Sequence, residues 1–439
     1  MESWLVNIAE NKNFLPETSL GWLKEAREKG IDHFFKKGLP TVRDEAWKYT
    51  NIAPIRKRDF TLSGSQKISV TEKDLDAFRF KELETIEFVF INGVFSSELS
   101  HNIVTTDGIV LQNLSAWLAE GNDQNLAVEA GENVFASLNN AFMTEGLVLQ
   151  IEKNTVIDKP VHLIFVSTET EVAVMTYPRI DIRLAANAEA KLIESFVAVN
   201  QAKNLTNVVT NIVTDENSQL EHFRIQEEST DAYHIANIFI DQKKNSRVTT
   251  HSVSLGAKLA RVDIKVSLGS EGAENTLNGL FMGEGRQHTD HHILVDHLSP
   301  HTRSEEYFKG ILDNGSRGVF NGKVIVHEDA QKIEAIQSNK NLLLSPKAEV
   351  DTKPELEIYA DDVKCAHGAT IGRLNDTELF YLKSRGIDEE KARAILTYAF
   401  ADDVIRRMTL ESVQKYLEQK IVGHLSSIDN ISDLVGELS

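Results

Sequence analysis

Between residues 85 and 370, apolar and polar positions alternate in short runs, the period-2 pattern of half-buried strands. Ile86, Phe88 and Phe90 open the series, and Asn92-Gly93 ends the first run with a turn signal. Segments that begin with a polar turn and continue as a strand start at Asn187, Glu216 and Asn245, about 29 residues apart. Starts at Glu271, His301 and Gln331 keep a spacing of about 30, and intermediate starts near Glu284, Asn314 and Pro346 fall roughly halfway between. A period of this length made of strands predicts a solenoid, in which each coil buries its face only by stacking on its neighbours. The expected fold is mainly β, a β-helix with about two strands per coil. A β-sandwich of the same strand lengths is the structural alternative.

Helical periodicity flanks this core. Pro16-Glu-Thr-Ser19 offers N-cap residues ahead of Leu20, Leu23, Ala26 and Phe34, with Gly38 and Pro40 as stop signals. Phe135, Leu138 and Phe142 predict one helical interruption over 132–143. Near the other end, Asn375-Asp-Thr-Glu378 resembles a capping box ahead of Leu379–Leu382, with a stop at Gly386. Asp388 then caps a longer helix striped with Ala392, Ile395, Leu396, Ala399, Phe400, Val404 and Met408, and a last helix carries Val413, Tyr416, Leu417 and Ile421. The organisation read from this is an N-terminal helical domain (1–84), a β-helix core (85–370) and a C-terminal helical domain (371–439). The last helices are expected to cap the open strand edge of the solenoid, and they could also present a docking face.

Composition narrows the function classes. The chain has 439 residues and a net charge of −19, from 66 acidic against 47 basic side chains. That balance repels phosphate backbones and anionic bilayers, so neither nucleic acid nor membrane is an expected partner. A single cysteine excludes an internal disulfide and any zinc site built of several cysteines. Met1–Glu10 lacks the basic and apolar regions of a secretory signal, and no run approaches 18 apolar residues, so a cytoplasmic setting is expected.

Two groups of side chains carry candidate chemistry. His288, Asp290 and His292 would share one side of a strand, with His291 on the other and His297 and His301 just beyond. Three such ligands could bind a divalent metal, and polar filler or solvent-facing histidine explains them as well. Cys365 and His367 stand at i and i+2, so on a strand they too share a face. Both suit iron species, yet a cluster usually takes four ligands, so the pair is either structural or completed by a partner subunit. Gly368 beside them permits close approach by another chain. Around Trp47, the aromatic group of Arg43–Thr50 reads as a packed helix end. No nucleotide-phosphate loop, dinucleotide fingerprint or Gly-x-Ser-x-Gly elbow is present.

Several motifs stand in a telling order: Phe308-Lys-Gly310, Gly318-Val-Phe320-Asn-Gly322-Lys, Asn341-Leu-Leu-Leu-Ser345, Glu349-Val-Asp-Thr-Lys-Pro354, Asp361-Asp-Val-Lys-Cys365-Ala-His367-Gly-Ala-Thr and Phe380-Tyr-Leu-Lys-Ser-Arg385-Gly-Ile. Together they resemble the SufB/SufD family of iron–sulfur cluster assembly proteins, and Arg43–Thr50 resembles that family's Arg-x-Glu-x-Trp-Lys-Tyr-Thr element. Within the family the chain looks like the SufD branch. SufB chains carry a cysteine within the segment matching Leu342–Ser345, and read His-Glu-Ala-Thr where this chain has His367-Gly-Ala-Thr370.

The resemblance implies a right-handed β-helix that pairs with a SufB-like scaffold through its end and docks a SufC-like ATPase through its C-terminal helices. Phe380, Tyr381, Arg385 and Gly386 match the region near that ATPase contact. It places the cluster-assembly interface at His367, with Cys365 beside it, and implies both as metal ligands. No catalytic residue and no tightly held cofactor are implied for this chain alone. Iron or an iron–sulfur cluster would be handled transiently at the partner interface, and a homodimer is an alternative assembly of the isolated chain. The rival classes are a solenoid carbohydrate-active enzyme, which would need a recurrent groove of acids, bases and aromatics, and a stand-alone iron-binding protein using the 288–301 histidines.

Overall fold

The repeat seen in the sequence is built on asparagines at its corners. Asn154, Asn187, Asn217 and Asn245 all have left-handed backbones, with φ of 62°, 59°, 57° and 53°, a conformation that Asn tolerates better than most residues. Their carboxamides stack from coil to coil: Asn187 Nδ2 donates to Asn154 Oδ1 at 2.7 Å, Asn217 to Asn187 at 3.2 Å and Asn245 to Asn217 at 3.2 Å. Each corner therefore satisfies the next one.

The structure, a computed structural model, describes residues 18–62, 70–103 and 107–425. From Glu189 onward successive strands pass alternately between two sheets, and each pairs in parallel with the one a coil away, about 26–32 residues on. The result is a β-solenoid of about eight turns. This all-parallel ladder excludes the sandwich alternative, whose sheets are antiparallel. Apolar side chains from both sheets fill the interior, among them the stacked rings of Phe90, Phe165 and Phe196, with centroids 4.8 and 4.9 Å apart.

Helices cover the outer faces. Gly21–Lys37 packs on Val134–Phe142, which is buried along its whole length against one sheet. Asn139 Nδ2 fastens the second helix to the carbonyls of Pro178 and Asn207, each at 2.8 Å. The first helix begins after Leu20, with no side-chain cap bond, so the expected cap at Thr18-Ser19 is not formed; Pro16 and Glu17 lie outside the described residues. The N-terminal region is also less helical than its pattern predicts. Phe60–Leu62 is a short strand paired in parallel with Ala173–Thr176.

The C-terminal helices Asp376–Ser384, Glu389–Ile405 and Glu411–His424 start where expected, with Asn375 accepting from Thr377 N and Asp388 from Lys391 N. Their position corrects one expectation. Tyr398, Val404, Ile405, Val413, Leu417 and Ile421 pack on Ile193, Phe223, Ile225, Val253 and Leu280, outward residues of the second sheet. The last two helices therefore cover the side of the solenoid and do not cap its end. The reason is hydrophobic area: those strands carry apolar side chains on their outer face and need a cover, whereas Glu349–Ile358 sets charged residues at its outward positions.

Candidate functional site at the open end of the solenoid

Glu349–Ile358 ends one sheet and Val363–Gly372 ends the other. Among the described residues neither has a strand beyond it, so each presents one row of backbone N–H and C=O groups without a ladder partner. Pro354 sits on the first of these strands, a residue that sheets accept only at edges because it has no N–H to donate. Val363–Gly372 contains no proline.

On this second edge, Cys365 lies opposite Ala335 and packs on the interior apolar cluster, half-buried. Burial pushes its thiol above the usual range, which disfavours the thiolate that attacks or ligates. His367 lies opposite Gln337, and its side chain is exposed. Strand alternation puts Cys365 and His367 on the same face, as the sequence predicts, and that face is the mouth of the solenoid interior. Beside them, a Cβ added to Gly368 would meet nothing within 4 Å.

Below the mouth the interior is polar. Gln337 Nε2 donates to Glu306 Oε2 at 2.8 Å, and Asn339 Oδ1 accepts from Asn341 Nδ2 at 2.6 Å and Thr352 Oγ1 at 2.9 Å. Glu306 and Gln337 are 1% and 2% exposed, and burial pushes the Glu306 carboxyl up to about 8. Neither residue stands out in a single sequence. The available signal is spacing: 306, 337 and 367 are 31 and 30 apart, one coil each.

The histidine cluster does not assemble. His291 points into the interior between the rings of Phe281 and Phe308, at 5.2 and 5.6 Å, and burial lowers its basicity to about 3. His297 is bonded to Thr302 and Ser304, and His301 forms a left-handed corner. His288 and Asp290 face outward under the Arg43–Thr50 segment, where Thr50 Oγ1 meets His288 Nε2 at 2.8 Å and donates to Asp290. Arg261 bonds Asp290 at 2.9 Å and stacks 3.8 Å from the Trp47 ring. Burial works against the Asp290 charge, but His292 and Arg261 outweigh it and hold the carboxyl below its ordinary range. These residues clasp the N-terminal segment to the solenoid. Among the described residues, no three His, Cys, Asp or Glu side chains form a group that could hold a metal.

A second exposed feature is the helix Asp376–Ser384, which has no buried residue. Phe380 and Tyr381 are 73% and 57% exposed, Arg385 lies 5.2 Å from the Tyr381 ring, and Gly386 takes φ 88° at the helix end. Among the described residues, no helix is long and apolar enough to cross a membrane.

The family model for the SufBD core domain of SUF-system FeS cluster assembly matches residues 165–400, and the SufBD N-terminal region model matches residues 2–163. The chain belongs to the SufBD family. It is 36% identical over 409 residues to an iron–sulfur cluster assembly SufBD family protein of Synechocystis, covering 90% of each chain. It is 31% identical over 396 residues to the Escherichia coli iron–sulfur cluster assembly protein SufD, covering 89% of this chain and 90% of that one. A Bacillus subtilis SufD is 23% identical over 90% of this chain and 92% of its own length. Within the SufBD family the chain is most like SufD, and it is an iron–sulfur cluster assembly protein.

Proposed function

We propose that this chain acts in the cytoplasm as the SufD-type subunit of a SufBCD-type complex, joining a SufB-like scaffold at its open end and assisting iron entry and de novo cluster formation there. The observation that carries this reading is the unpaired edge Val363–Gly372, with an exposed His367 at the mouth of a polar interior. An unpaired edge is a template for a strand from another chain, and main-chain bonds then supply affinity. Two candidate ligands on this chain fall short of the usual cluster set, so the partner supplies the rest. His367 is the better of the two. A neutral imidazole offers a ring nitrogen to iron or carries a proton, whereas burial keeps the Cys365 thiol protonated. The cluster is cargo in this scheme, and ATP hydrolysis belongs to a SufC-like partner docked on Phe380, Tyr381, Arg385 and Gly386.

The test is co-expression with SufB-like and SufC-like chains, followed by size measurement and iron and sulfide analysis. His367→Ala should preserve folding and complex formation while sharply lowering iron and acid-labile sulfide, and Cys365→Ser should do less. Wild-type cluster content in the His367→Ala complex would end this reading.

Docking of the ATPase calls for point changes. Removing the C-terminal helices would expose Ile193, Phe223 and Val253 to water and damage the solenoid itself. Phe380→Asp with Tyr381→Asp touches no buried residue. It should abolish co-purification of the ATPase and leave the scaffold pairing intact; retained ATPase binding would exclude this helix.

A further inference from the structure

One inward file of side chains crosses the sheet that ends at Val363–Gly372. Read in register from coil to coil it runs His222, Thr250, Leu277, Glu306, Gln337, His367. Leu277 separates the deeper polar residues from the outer three. Glu306 and Gln337 are buried two coils and one coil below the edge, where aliphatic filler would cost nothing to desolvate.

Their arrangement is directional. Gln337 Nε2 is taken up by Glu306 Oε2 at 2.8 Å. The opposite sheet makes room for this amide, since a Cβ on Gly322 would stand 2.2 Å from Gln337 Nε2. That close approach gives a physical reason for glycine in the Phe320-Asn-Gly322-Lys motif. With its nitrogen committed to Glu306, the amide is left with Oε1, which has no hydrogen-bond partner among the described residues. The next side chain along the file is His367, on a strand about 4.8 Å further out.

We propose that Gln337, held by Glu306, is the positioning residue for His367: Gln337 Oε1 accepts from one ring N–H, which fixes the tautomer and leaves the other ring nitrogen bare for an incoming ligand. Ligating histidines are commonly set in this way by an oxygen behind the ring. The oxygen here belongs to a carboxamide, and the carboxyl stands one step deeper. Once Glu306 has lost its proton, above about pH 8, it can only accept, and the amide cannot then turn over to offer its NH2 to the ring without losing that bond. The proposal rests on the reading of His367 as the iron-handling group. The tautomer it specifies is a property of the chain alone.

The experiment is long-range proton–nitrogen NMR on the full chain labelled with 15N-histidine, with the His367 ring signals assigned by their loss in His367→Ala. Above about pH 8, where Glu306 acts only as an acceptor, wild-type His367 should show one tautomer. Gln337→Met, and the double variant Glu306→Leu/Gln337→Leu, should move the ring signals to the values of an averaged pair of tautomers, with the other histidine signals unmoved. The double variant removes both hydrogen-bonding partners together, a change that can be nearly neutral for folding. Mixed tautomers in the wild-type chain, or an unchanged single tautomer in folded Gln337→Met, would overturn the proposal. A fixed tautomer together with normal cluster loading by His367→Ala would leave the positioning intact and refute the iron-handling role.

Discussion

Glu306→Gln should stabilise the solenoid end, and by an amount that grows with pH. A glutamate in an unfolded chain titrates near about 4.3, whereas burial pushes Glu306 up to about 8. Between these values the folded chain keeps a proton that the unfolded chain has lost. Stability therefore falls as pH rises through this window, and it stops falling above the folded pKa. At about 1.4 kcal/mol per unit, the window amounts to a penalty of roughly 5 kcal/mol at pH 8 and to none below about pH 4. Glutamine has no proton to lose, and its carbonyl still accepts from Gln337 Nε2, so the variant escapes the penalty and keeps the bond. Native-state hydrogen exchange of Arg303–Leu312 and Ile333–Leu343 reads the effect locally. Comparing variant and wild type at the same pH cancels the intrinsic exchange rate. The two should be alike near pH 4.5, and the variant should gain about tenfold in protection per pH unit towards pH 8. A ratio that stays flat across this range would show that Glu306 is ionised in the folded chain, and the argument would fail.

Two further outcomes follow from the packing. Phe308 is fully buried against Phe320 and His291, so Phe308→Ala should cost about 3–5 kcal/mol in urea unfolding; a loss below about 1 kcal/mol would mean that the coil closes over the space. Asp290→Ala removes one partner of the buried Arg261 and the acceptor for Thr50, at a cost of about 3 kcal/mol, and should speed tryptic cleavage after the exposed Lys48; unchanged cleavage would show that Trp47 alone holds the segment.

The solenoid was legible because its corners and its alternation are local. Asn187 and Asn245 mark corners in the sequence and make them in the structure, and the parity that separates His291 from His288, Asp290 and His292 is the parity observed. What covers each face was harder to read. Arg43–Thr50 reads as a packed helix end, and Trp47 is indeed buried, but its contacts with Arg261, His288 and Asp290 cross more than 200 residues that no local pattern links. The side position of the last helices did leave a trace. Phe223 and Ile225 are outward yet apolar, in a strand that also buries His222 and Arg224 on its inner side. The file through Glu306, Gln337 and His367 needs register to the residue, since a slip of one turns every side chain to the opposite face. Coil lengths that vary from about 26 to 32 deny that accuracy to spacing alone.

The two ends of the solenoid differ in a way that bears on the assembly. At the start, each sheet finishes on an antiparallel strand, Val94–His101 on Ile86–Ile91 and Ile109–Asn113 on Gly146–Ile151, which closes the parallel ladder. At the other end both sheets stop on a parallel strand, with no further strand beyond it among the described residues. Leu356, Val363 and Cys365 are only partly buried there, and Ile358 and Ile371 are 41% and 51% exposed. A repeat array needs terminal coils that shield its inner apolar side chains to remain soluble on its own, and here those side chains are left partly open while the Val363–Gly372 edge carries no proline. The same end carries His367 above a buried amide and carboxyl, a polar arrangement that filler does not require. Apolar exposure calls for a cover, the edge offers it backbone pairing, and the histidine is set where that cover would meet the interior. One surface thus joins the proposed assembly step to the proposed chemistry, and a partner seated there would bring its own ligands within reach of His367.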